Sequence, residues 1–98
     1  MLSKTHILKT LKENKQKLSE FGVRNIGLFG SYKKLIPNSD SDIDILIDFY
    51  PEYETYDNLL HIYELLEKLF PGYKIDIVTV NGLSKHIGKY ILQETEYV

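Results

Sequence analysis

Three aspartates in this sequence have the spacing of a shared cation site. Asp42 and Asp44 stand two residues apart at the head of an alternating run, Asp-Ile-Asp-Ile-Leu-Ile-Asp-Phe (42–49). Side chains alternate faces along a strand, so both carboxylates fall on one face, about 7 Å apart at the backbone. Ile43, Ile45, Ile47 and Phe49 take the other face, while Leu46 and Asp48 join the acids. Asp76 lies between Ile75 and Ile77 in a second apolar run, residues 74–80. If the two strands pair, three carboxylates converge, and like charges that close are driven to protonate unless a cation relieves them. Oxygen-only ligands beside a phosphate substrate suit magnesium better than zinc. A calcium loop is the rival reading of Asp40 to Asp44. It needs glycine at loop position 6 and glutamate at position 12. Starting from Asp40 those positions are Ile45 and Pro51, and from Asn38 they are Ile43 and Phe49.

A second constellation could hold phosphate. Gly30-Ser31 follows the short apolar run Ile26-Gly27-Leu28-Phe29. At a strand-to-helix turn, glycine allows close backbone approach, a serine hydroxyl donates, and free N–H groups attract an anion. Lys33 and Lys34 follow within reach of a triphosphate. No Walker A or G-x-G-x-x-G pattern occurs, so this is neither a P-loop nor a Rossmann turn. Taken singly, an Asp-x-Asp on a solvated face or a serine capping a turn is ordinary. The order and spacing carry the argument: a phosphate-binding turn, ten residues, two carboxylates opening a strand, then a third carboxylate in a later strand.

The elements that must position these groups are legible as periodicities. Residues 4–21 read as a helix with Ile7, Leu8, Leu11, Leu18 and Phe21 near one stripe, interrupted at Lys15 and stopped by Gly22. Strands are expected at 24–29, 43–49 and 74–80. A short helical turn should follow Ser31, and Pro37 to Asp40 form a polar loop. Residues 57–70 form an amphipathic helix through Leu59, Ile62, Tyr63, Leu66, Leu69 and Phe70, ended by Pro71-Gly72. Ser84 caps a last helix over 85–94, grouping Ile87, Tyr90 and Ile91. The expected fold is α/β (α+β): a small mixed sheet of three to four strands flanked by helices.

The chain has 98 residues, 43% hydrophobic, a net charge of −2 and no cysteine. That length is expected to make one domain, residues 1–98. The charge offers no electrostatic footprint for direct nucleic-acid binding, and the missing cysteines exclude disulfides and Cys-ligated zinc. His6, His61 and His86 lack ligand spacing. No signal peptide or membrane span is visible, so a cytoplasmic location is expected.

With these residues in hand, the sequence resembles the polymerase-beta-type nucleotidyltransferase superfamily, and within it the minimal nucleotidyltransferases. The resemblance rests on Ile26-Gly-Leu-Phe-Gly-Ser31, Ser41-Asp-Ile-Asp-Ile-Leu-Ile-Asp-Phe49, Lys74-Ile-Asp-Ile-Val78 and the tail from Gly82 to Val98. It implies an antitoxin that moves AMP from ATP to a tyrosine of a HEPN-domain ribonuclease toxin. It implies that Asp42, Asp44 and Asp76 are metal-holding catalytic carboxylates and that Gly30 and Ser31 hold the triphosphate, with Lys34 supplying charge. Where the family carries Ala-Arg-Gly, this chain has Lys33-Lys34-Leu35. Lys34 keeps the charge without the two-pronged geometry of arginine.

The implied reaction uses two magnesium ions between carboxylates and triphosphate, with Asp76 orienting the nucleophile or taking its proton. A chain this short leaves no room for a second-substrate domain, so the acceptor should be a separate protein. Tyr50, Tyr53 and Tyr56, in the loop leaving the carboxylate strand, are an expected guide for it. A homo-oligomer is a further expected assembly. Tyr63 and Tyr90 are expected to be packed. The alternative function is a catalytically silent module that neutralises a toxin by masking it.

Overall fold

The computed structural model describes residues 2–30 and 42–98. The expected turn and loop between Ser31 and Ser41, including Ser31, Lys33, Lys34 and Leu35, lie outside the described residues.

The N-terminal helix is two helices, α1 (Lys4–Glu13) and α2 (Lys15–Ser19). The break falls at Asn14, whose φ of −107° and ψ of 11° leave helical geometry. Its side-chain amide donates to the Thr10 carbonyl at 2.8 Å, a local bond that competes with the helix ladder. The interruption of the apolar stripe at Lys15 is the sequence trace of that break. Ser3 caps α1 by accepting from the His6 N–H at 3.1 Å.

The strands are β1 (Val23–Phe29), β2 (Ile43–Phe49), β3 (Ile75–Thr79) and β4 (Glu96–Tyr97). They form one mixed sheet in the order β3-β2-β1-β4. β1 runs antiparallel to β2 and to β4, while β2 and β3 are parallel. β3 and β4 therefore point the same way. The remaining helices are α3 (Tyr56–Leu69), capped by Thr55, and α4 (Lys85–Glu94), capped by Ser84.

Alternation gives the sheet two unlike faces. Ile26 and Leu28 pair with Ile47 and Ile45, and Ile43 and Ile45 pair with Ile75 and Ile77. This apolar face packs against Ile7 and Leu11 of α1, Leu18 of α2, and Ile62 and Leu66 of α3, all fully buried. The opposite face carries Gly27, Leu46, Asp44, Asp76 and Val78, again by register.

Two observations put α4 on that opposite face. No α4 side chain joins the core cluster, and a Cβ added to Gly27, which points to the acid side, would collide with the methyl of Thr95 at the end of α4. Topology requires the same. Crossovers between parallel strands are right-handed. The β2-to-β3 and β3-to-β4 crossovers step in opposite directions across the sheet, so α3 and α4 must cover opposite faces. The ten residues of α4 span about 15 Å, which matches the three strand spacings of about 4.8 Å it must cross. Leu46, expected to share the solvated face with the acids, is instead fully buried and stands outside the main cluster; α4 is the helix on its side.

Candidate active site

β2 and β3 present their carboxylates at the same end because they are parallel and in register. Ile43 pairs with Ile75 and Asp44 with Asp76. Asp42 therefore neighbours Lys74 one step earlier, where the Ile43 N–H donates to the Lys74 carbonyl at 2.9 Å. Asp42, Asp44 and Asp76 are all half-buried, on the face that alternation predicts. The structure thus brings together the three acids nominated from sequence.

The electrostatics show strain. Asp76 is held above the ordinary carboxylate range, first by burial and then by a side-chain hydrogen bond with Asp42 and by the Asp42 charge. The Lys74 ammonium pulls the other way. Lys74 Nζ lies 3.8 Å from Asp42 Oδ2. It stands where a cation is needed, and it was not nominated from sequence. Its signal was there: Lys74 precedes Asp76 by two residues on an alternating strand, so the two share a face.

Gly30 takes φ +75° at the end of β1, a conformation that suits glycine. A Cβ there would collide with the Asp44 carboxylate. The expectation was that the missing Cβ admits a phosphate; in the structure the space it leaves is filled by Asp44. Gly30 is thereby part of the carboxylate site itself. Ser31 and Lys34, the other two proposed nucleotide contacts, lie outside the described residues.

The fourth acid of the face is spent elsewhere. Asp48 Oδ2 accepts from Arg24 Nε and Nη2 at 3.0 and 2.8 Å and from Asn25 Nδ2 at 3.3 Å. Its charge is matched, and it lies four residues beyond Asp44, about 13 Å along the strand.

Two expectations about tyrosines are corrected. The loop bearing Tyr50, Tyr53 and Tyr56 leaves the far end of β2. Tyr50 is six residues from Asp44, about 20 Å at 3.3 Å per residue. The loop is pinned there: the Tyr50 N–H donates to the Gly22 carbonyl at 2.9 Å, and Asn81 ties Glu54 to the end of β3 at 2.9 Å. It therefore does not border the carboxylates. Tyr90, expected to be packed, is 59% exposed, because Gly88 rather than Tyr90 is the buried residue of α4. Tyr63 is half-buried as expected, and its hydroxyl donates to the Ile75 carbonyl at 3.1 Å. His6, His61 and His86 are exposed, and His61 stacks on Phe21 at 5.3 Å.

The donor set, carboxylate oxygens on one face, fits a hard divalent cation. Among the described residues, no group of three or more His, Cys, Asp or Glu side chains is gathered closely enough to cage a metal alone. Magnesium is commonly held by one or two carboxylates with substrate phosphates completing the shell, which suits a site that assembles around its nucleotide. Also among the described residues, no helix is long and apolar enough to cross a membrane.

Comparison with known proteins agrees with this geometry. Residues 7–98 match the model of the nucleotidyltransferase domain family. Protein adenylyltransferase MntA of Thermococcus cleftensis is 40% identical over all of this chain and 98% of its own length. A Methanocaldococcus jannaschii protein provisionally named a protein adenylyltransferase is 33% identical over the full length of both. A solved structure described as a minimal nucleotidyltransferase superposes with a TM-score of 0.73 at 28% identity, covering 91% of this chain and 93% of its own. A solved MntA-HpeT toxin-antitoxin structure superposes at 0.60 and 22% identity, covering 98% of this chain and 71% of that one, a likeness of fold. With Asp44 and Asp76 in register on neighbouring parallel strands of a four-stranded mixed sheet, this chain belongs to the nucleotidyltransferase domain family.

Proposed function

We propose that the chain is a magnesium-dependent antitoxin enzyme that transfers AMP from ATP to a hydroxyl, a tyrosine hydroxyl by resemblance, of a partner HEPN-domain toxin. The observation that carries the chemistry is the Asp44–Asp76 register, with Asp42 two residues before Asp44 on the same face of β2. The names of the relatives support adenylyl transfer to a protein, and the MntA-HpeT structure supports a toxin as that protein.

In this reading Asp42 and Asp44, with Asp76 as third carboxylate, hold two magnesium ions, and Gly30, Ser31 and Lys34 line the triphosphate. The ions, when bound, polarise the α-phosphate and neutralise the departing pyrophosphate. The acceptor oxygen attacks the α-phosphorus. The bond from that phosphorus to the bridging oxygen breaks, and pyrophosphate leaves with the electron pair. Asp76 takes the acceptor proton. Lys74, whose Nζ lies 3.8 Å from Asp42 Oδ2, would share that carboxylate's charge with any bound cation. The domain is a single catalytic unit whose acceptor arrives on another molecule.

The test is incubation with ATP, magnesium and the toxin, read by intact mass. One or more AMP units should appear on the toxin with the wild type and none with Asp44→Asn. A toxin that the Asp44→Asn variant neutralises without any mass change would establish masking in place of transfer.

A further inference from the structure

Lys74 leads into β3 at the end that carries the acids. Its backbone is fixed there. The Lys74 carbonyl accepts from the Ile43 N–H at 2.9 Å, and the Ile75 carbonyl next to it accepts from the Tyr63 hydroxyl at 3.1 Å. Ile75 is buried in the core, so alternation sends the Lys74 side chain to the face of Asp44 and Asp76. Its ammonium lies 3.8 Å from Asp42 Oδ2, and its charge reaches Asp76 as well. The side chain is 73% exposed, so the ammonium keeps most of its hydration while it faces the acids.

A positive charge in this place acts with opposite sign on the two things that must enter the site. It repels a bare divalent cation and partly satisfies the Asp42 carboxylate for which that cation competes. It attracts a polyphosphate, and a magnesium–ATP complex is net negative. The ammonium stands well inside the Debye length of about 8 Å at physiological ionic strength, so ions held at Asp42 feel it through the screening.

We infer that Lys74 is a selectivity residue of the nucleotide site: it disfavours a bare divalent cation at the carboxylates and favours the same cation delivered on a nucleoside triphosphate. The inference rests on the proposed nucleotidyl transfer and adds an order of loading to it. Metal alone meets acids already partly matched by Lys74. Metal carried on a triphosphate brings phosphate oxygens that the ammonium also attracts. The carboxylates thereby fill together with substrate rather than ahead of it. A purely structural ion pair would act differently, since its loss would loosen the site and weaken both kinds of binding.

The experiment uses the full chain without acceptor. Affinity for Mn2+ alone is read by electron paramagnetic resonance, and affinity for ATP with magnesium by calorimetry. Wild type is compared with Lys74→Met, Lys74→Gln, Lys74→Arg and Lys17→Met. Lys74→Met and Lys74→Gln should each bind Mn2+ about two- to fivefold more tightly and magnesium–ATP weaker by a similar factor, the scale of a solvent-exposed charge pair. Both shifts should shrink near 1 M salt, where the Debye length is about 3 Å. Lys74→Arg, which keeps the charge, should restore both affinities. Lys17→Met removes the same charge from an exposed position on α2 and should match the wild type. Two affinities that fail to move in opposite directions in both uncharged variants would overturn the selectivity role and leave the transfer reading standing. A wild type that binds neither Mn2+ nor magnesium–ATP would remove the nucleotide site, and this inference with it. Because Lys74 is exposed, its variants should fold, and an unchanged circular-dichroism spectrum verifies it.

Discussion

The backbone of Gly30 lies against the carboxylate of Asp44, and the glycine's missing side chain is the space that carboxylate occupies. The positive φ and the close approach act at one residue, so a single methyl group breaks both. Gly30→Ala should lose about 1–2 kcal/mol from the left-handed conformation alone, with the displacement of Asp44 added to it. Chemical denaturation measures the first, and loss of magnesium-dependent transfer reports the second. A variant of wild-type stability would show that the turn relaxes freely.

Asp44→Asn should leave the fold intact and remove transfer. Residues that merely orient metal ligands cost 10–100-fold when replaced, so loss of a direct ligand should cost at least about 100-fold. Magnesium with ATP should raise the wild-type melting temperature by mass action and raise that of Asp44→Asn much less. Equal stabilisation of the two proteins would take Asp44 out of the metal site.

Asp76 makes a prediction about pH. Its folded pKa is raised above the usual 3.8 by burial and by Asp42, so the folded chain binds this proton more tightly than the unfolded chain. The sign follows from linkage. Stability from this group is fully present below the unfolded pKa and declines as pH rises through the folded value. At neutral pH the ionised Asp76 therefore burdens the metal-free fold. Asp76→Asn should melt higher than wild type at pH 7 without metal, and the advantage should vanish near pH 3. Thermal melts across that range check it, and a variant less stable at pH 7 would show that Asp76 is structurally required.

Gly27 meets the end of the chain in a similar way. A Cβ there would strike the Thr95 methyl and come within 2.8 Å of the Glu96 carbonyl oxygen. Gly27→Ala should loosen β4 and the end of α4, at a cost of about 1–3 kcal/mol as an overpacked site. Hydrogen exchange should show the loss concentrated at Glu96 to Val98, leaving β2 and β3 protected. Uniform loss of protection would mean that β4 is coupled to the whole sheet.

Much of this molecule is determined by local pattern. The alternation from Asp42 to Phe49 dictates a strand with acids on one face, because a two-residue period admits no other assignment when one face is buried. The stripe from Leu59 to Phe70 dictates a helix, and Gly22 stops the one before it. The carboxylates were legible because their chemistry needs only residue type and phase. The tertiary structure decided what depends on neighbours distant in sequence. Parallel pairing of β2 with β3 sets Asp76 beside Asp44 and Lys74 beside Asp42, a register that no local pattern contains. Proximity in sequence suggested that the tyrosine loop served the acids, yet a seven-residue strand carries it to the opposite end of the sheet. The packing of α4 departs from its periodicity: Gly88, close against Leu83, is its buried residue, while Ile87 and Tyr90, which periodicity assigns to a core, remain in solvent. Strand direction and crossover handedness determine those placements, and both are properties of the assembled chain.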